Sequence, residues 1–131
     1  MRAAPALAVA ALAVALAGAA SPPPAPKAVS ASYNVYMHGV HIAVMKETYE
    51  AAASEYRLVS ESTAVGVLGL FQRETVRFVS EGRLTPAGLQ PRRFEGKRND
   101  NDPRRVRGEF DWAAGRLTIE HHGRTETLPL P

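Results

Sequence analysis

QRETVRFVSEGRLTPAGLQPRRFEGKRNDNDPRRVRGEFDW, residues 72–112, decides the fold. In its first third, Val76, Phe78 and Leu84 fall on one side of a period of two. Arg73, Thr75, Arg77, Glu81 and Arg83 fall on the other, with only Val79 out of place. That alternation is a β-strand with one dry face and one wet face. Thr85-Pro86-Ala87-Gly88 then fits a type I turn, with proline second and glycine fourth. Counting back from the turn sets Leu84 opposite Leu89, but farther along it sets Phe78 opposite Glu95. Pro91 removes the conflict, because a residue that cannot donate a ladder hydrogen bond sits at an edge or a bulge. A one-residue bulge near Pro91 is therefore expected, bringing Phe94 opposite Phe78. Asn99-Asp100-Asn101-Asp102-Pro103 is turn chemistry. Beyond it Val106, Phe110 and Trp112 face in, while Arg105, Arg107, Glu109 and Asp111 face out. Pairing across this loop opposes Arg93 to Glu109 and Glu95 to Arg107, charge pairs worth about 0.2–1 kcal/mol each. It also lays Phe94 over Gly108.

The same logic extends in both directions. Downstream, a tight turn at Ala113-Ala114-Gly115-Arg116 would place Leu117 opposite Trp112 and Ile119 opposite Phe110; that strand ends near His122-Gly123, and Thr125–Leu130 reads as one more. Upstream, Tyr33–His38 alternates cleanly and Gly39 follows as a turn or bulge. Ile42–Glu50 is a strand of mixed faces, Ala51–Glu55 a connection, and Tyr56–Thr63 another strand. Val65–Phe71 is apolar, uncharged and interrupted by two glycines, so it reads as a crossover with one helical turn that plugs an open face or end of the sheet. The expected fold is all-β: an antiparallel meander of seven to eight strands forming a curved sheet, an open barrel or half-barrel, after an N-terminal signal helix.

The chain start fits export. Arg2, the apolar run Ala6–Ala17 and the small residues before Ser21 have the form of a cleavable signal peptide over residues 1–20, and the run is too short to span a membrane. Residues 21–29, with Pro22, Pro23, Pro24 and Pro26, read as a tether, leaving 30–131 as the β-domain. With no cysteine, the domain has no disulfide and no lipid-attachment cysteine. The net charge of +3 allows a polyanionic partner without requiring one. The expected location is the periplasm.

Tyr33-Asn34-Val35-Tyr36, Tyr56-Arg57-Leu58, Ser80-Glu81-Gly82-Arg83-Leu84 leading into Gly88-Leu89-Gln90-Pro91, Phe110-Asp111-Trp112 and Thr127-Leu128-Pro129-Leu130-Pro131 together resemble the bacterial "domain of unknown function 3108" family. The resemblance implies an exported, β-rich envelope protein and brings no catalytic residues with it. It also implies that this chain corresponds to the N-terminal portion of the pattern, truncated before further strands.

Chemistry-bearing clusters are sparse. His38 and His41 straddle a glycine with no third ligand at hand, so they read as surface or structural groups rather than as a zinc pair. His121 alternates onto the apolar side with Leu117 and Ile119 and reads as a rim histidine; His122 adjoins it. Arg92, Arg93, Lys97, Arg98, Arg104, Arg105 and Arg107 form a basic cluster, but the aromatics Phe94, Phe110 and Trp112 point away from it. A single-strand nucleic-acid platform would combine the two on one face, so a solvated strand face is expected. Ser60, Ser62 and Ser80 have no base at a defensible spacing. No enzymatic activity, cofactor or metal is expected. What remains is the apolar face, with Tyr33, Val35, Leu58, Phe78, Phe94, Phe110 and Trp112 as its candidate ligand or partner residues on the concave side. The expected function is a non-enzymatic envelope scaffold or protein-interaction module with an unpaired C-terminal edge strand. The alternative is a periplasmic carrier or sensor of lipid or another hydrophobic ligand. A partner protein or hydrophobic ligand is expected, with no nucleic acid and no transmembrane span in the mature protein.

Overall fold

The structure, a computed structural model, describes residues 26–71 and 74–131. The signal helix, the first part of the tether and Arg73 lie outside the described residues. Eight strands run in chain order through one antiparallel sheet: β1 (Ala28–Met37), β2 (Val40–Ala52), β3 (Glu55–Ala64), β4 (Thr75–Thr85), β5 (Gly88–Lys97), β6 (Val106–Asp111), β7 (Arg116–His121) and β8 (Arg124–Pro129). Neighbours in sequence are neighbours in space throughout, and β1 does not meet β8, so the meander stays open. β1 begins at Ala28, two residues ahead of the expected start of the domain.

Short turns set the register. Two of them share one chemistry: His38-Gly39 joins β1 to β2 and His122-Gly123 joins β7 to β8, with both residues of each at positive φ (51° and 80°; 49° and 71°). Two-residue hairpin loops favour that backbone because it matches strand twist, and histidine is among the few non-glycine types that enter the left-handed region with any frequency. Two of the four histidines are thereby explained as turn residues. At the β4–β5 hairpin, where Thr85 pairs with Gly88 across Pro86-Ala87, the positive φ falls on Gly88 and the Thr85 hydroxyl donates to the Gly88 carbonyl at 3.0 Å.

A bulge lies where Pro91 placed it, between Glu81↔Arg93 and Gly82↔Pro91, but its direction differs. The extra residue is Arg92 in β5, so Phe78 faces Gly96 and Phe94 faces Ser80, rather than the two aromatics facing each other. Their rings still meet diagonally, stacked with centroids 5.8 Å apart. The β6–β7 turn is also corrected. Asp111 pairs with Arg116 and Phe110 with Leu117, while Trp112 belongs to the turn. The Asp111 carboxylate accepts from the Ala114 N–H at 3.0 Å, and the four-residue turn runs over Trp112–Gly115, one position earlier than expected.

Val65–Phe71 forms a six-residue helix, α1 (Gly66–Phe71), beside the start of β2, where the Val65 N–H donates to Ile42 O. It does not plug the sheet: Val67, Leu68 and Leu70 are exposed, and Phe71 is 81% exposed. Among the described residues the only buried hydrophobic side chain is Tyr56, at 5%.

Candidate functional site

Direct cross-strand partners lie on the same face of an antiparallel pair, so the register assigns each residue to one of two faces. Tyr49, Leu58, Ser80, Phe94, Gly108 and Ile119 form one continuous row, and Ser60, Phe78, Gly96, Val106 and His121 the next. Tyr33 and Val35 on β1 and Phe110 on β6 belong to the same face by the same alternation. Trp112 joins it by stacking on Phe110 at 6.0 Å. All seven residues singled out in the sequence therefore share one side of the sheet.

That side is only partly shielded. Tyr33 is 49% and Trp112 41% exposed, Phe78 is exposed, and Val35, Leu58, Phe94 and Phe110 are half-buried. What cover exists comes from aromatics lying on neighbours in the sheet. A Cβ on Gly96 would come within 2.5 Å of the Phe78 ring, so the ring rests on the glycine backbone. Tyr56 stacks on Tyr49 at 6.5 Å, and its hydroxyl meets Ser80 Oγ at 3.0 Å, which satisfies the polar tip of the best-buried side chain.

The opposite face is a ladder of charge. Glu81 pairs with both Arg57 and Arg93, Arg77 lies 3.3 Å from Glu61, and Arg107 Nε donates to Glu95 at 2.8 Å. Glu95↔Arg107 and Arg93↔Glu109 are direct partners as expected, yet the guanidinium of Arg93 turns to Glu81 on its other side. The Arg107 guanidinium, and behind it the Lys97 ammonium, holds the Glu95 carboxyl below its ordinary range. The basic cluster is in this way largely neutralised by acids. In the β5–β6 loop Asp102 is buried, and its carboxylate accepts from the backbone N–H groups of Arg104 (2.9 Å) and Arg98 (2.8 Å), which lower its pKa.

Several depressions open mainly among these charged side chains, with Phe94, Phe110 and Trp112 at their margins. One of about 850 Å³ lies where β5 and β6 part. Those strands pair over four residues only, from Arg93↔Glu109 to Gly96↔Val106, although β5 continues back to Gly88. Arg83, Arg92, Arg93 and Arg116 line the split together with Glu81, Glu109 and Asp111, and the Trp112 indole N–H donates to the Pro91 carbonyl at 2.6 Å across one end. Sequence reasoning missed this split. Its signal was the bulge itself, since an extra residue in β5 swings the strand away from its next neighbour.

The remaining histidines are placed without a shared site. His41 Nε2 lies 3.1 Å from Ala43 O, with its ring stacked on Tyr36 at 5.0 Å. His121 lies 3.5 Å from Glu126 on the apolar face. Among the described residues no three His, Cys, Asp or Glu side chains are placed to hold a metal ion, and no helix is long and apolar enough to cross a membrane.

No curated protein and no solved structure matches the chain. A family model described as "Protein of unknown function (DUF3108)" matches residues 32–131, a span that holds every strand except the first four residues of β1. The meander, its Pro91 bulge and its two-faced register are thus the shape of a protein that belongs to the DUF3108 family.

Proposed function

We propose that this chain is an exported, non-enzymatic β-sheet module of the cell envelope that holds a partner polypeptide against its apolar face. One observation carries the reading: eight strands present an aromatic and aliphatic face, and Tyr56 alone among its described hydrophobic residues is buried. Contiguous apolar surface of this extent on a soluble protein marks a contact site. A polypeptide suits the face better than a single acyl chain, because the depressions described above are open and lined chiefly by charged and polar side chains, while the apolar row offers breadth. Export rests on the signal-like residues 1–20 and the polyproline tether.

Photo-crosslinking tests this reading. A benzophenone amino acid at Tyr33 or Phe78, in cells exporting the full chain, is expected to give protease-sensitive adducts of discrete mass. The same group at Thr118, on the charged face, is expected to give none. Adducts from all three positions alike, or from none, would overturn the proposal. Lipid retained by the chain in native mass spectrometry, with no protein adduct, would replace it with the carrier reading.

A further inference from the structure

Edge strands expose a row of unpaired backbone donors and acceptors, and proteins normally blunt them with charge, proline, bulges or brevity. The two edges of this sheet differ sharply by that standard. β8 is six residues long and carries Arg124, Glu126 and Pro129. β1 is ten residues, AVSASYNVYM, with no charge and no proline. Its one irregularity, the register shift after Val35, leaves Ala28–Val35 as an unbroken flat edge. Pairing among the described residues uses only the β2 side of that strand.

We propose that β1 is the docking edge for a second copy of this chain, joined antiparallel about a two-fold axis beside Ser32. A two-fold contact sets a surface against itself, and directly opposed side chains share a face. Odd residues must then meet odd residues, and even meet even. The register centred on Ser32 does this. It lies within half a residue of the midpoint of the flat stretch, sets small Ala31 beside the partner's Tyr33, and opposes no two charges. An uncharged strand meets no repulsion from its own copy, whereas on β8 any self-pairing must accommodate Arg124, Glu126 and a proline without an N–H. The joined sheets also continue the apolar face from one copy into the next through Val29, Ala31, Tyr33 and Val35.

Sedimentation equilibrium of the full chain is expected to show a monomer–dimer equilibrium. Ser32→Lys opposes two ammonium groups across the axis and should weaken the dimer about tenfold or more, with the far-ultraviolet circular dichroism unchanged. Mixing Ser32→Lys with Ser32→Glu should restore association. Because the chain has no cysteine, Ser32→Cys should oxidise to a disulfide-linked dimer, while Thr127→Cys on β8 should not. A wild-type chain that stays monomeric, a Ser32→Lys variant as dimeric as wild type, or crosslinking through position 127 at an equal rate would each overturn the proposal.

Discussion

Gly82 and Gly96 sit in adjacent strands and are both buried, yet they are glycine for different reasons. A Cβ at Gly82 would lie 2.1 Å from Gln90 O and 2.7 Å from Pro91 Cα, atoms of the bulged backbone that cannot rotate away. At Gly96 the obstruction is the Phe78 ring, a side chain with other rotamers. Overpacking typically costs about 1–3 kcal/mol. Gly96→Ala is expected in that range, and Gly82→Ala above it with loss of the bulge register. Urea melts of the two variants check the order; equal costs would contradict it. Gly82 also shows what the residues disclosed about the bulge. Pro91 and the Phe78–Glu95 conflict located it, but parity alone is the same whichever strand carries the extra residue. The glycine on β4, facing the bulge, was the sign that β5 is the strand that swells.

At the scale of single elements, the loop between β5 and β6 is held by one carboxylate. Asp102 accepts from two backbone N–H groups and stands within 4 Å of the Arg98 and Arg104 guanidinium groups. Its pKa is lowered in the fold, as are those of Glu95, Asp100 and Asp111, each by its own donor or cation. A lowered carboxyl pKa contributes stability that is present above the unfolded value, near 4, and is lost as pH falls through the folded value. Thermal stability should therefore hold from neutral pH to about pH 4–5 and fall below it. Asp102→Asn should lower the Tm at neutral pH and flatten the acid limb; an unchanged acid limb would remove Asp102 from the account. The elements themselves were legible because alternation and turn residues agree from Tyr33 to Leu130. α1 was not: a charge-free GVLGLF segment reads as something to be covered, yet the structure leaves Val67, Leu70 and Phe71 exposed. The β6–β7 register misled by two residues because Trp112 fits an inward strand position, while the side chain of Asp111 caps a four-residue turn that starts one position earlier. A shift of two preserves parity, so the faces survived the wrong register.

For the whole molecule, the eight strands are not equally bound to one another. β1 to β5 pair over nine or ten residues at each step, β6 to β8 over six, and the join between the two groups over four. With almost no buried hydrophobic core to spread cooperativity, stability should divide along that line. Native-state hydrogen exchange is expected to protect the amides of β2–β4 most and to release β6–β8 together at lower free energy. Uniform protection across all eight strands would mean that the sheet unfolds as one unit. The apolar face was legible from sequence as a set of residues, since alternation assigns side chains to faces regardless of sheet shape. Its exposure and the parting of β5 from β6 were not, because both depend on how strands diverge in space.

That narrow join also has a mechanical meaning. Pulled from its two ends, the chain should not shear as one plate; it should peel first along the β5–β6 seam, where four residue pairs, the Arg107–Glu95 ion pair and one indole hydrogen bond share the load. Two stiff leaves with a compliant spine can change their mutual angle while every other ladder stays intact. A module of this kind can take the curvature of whatever lies against it.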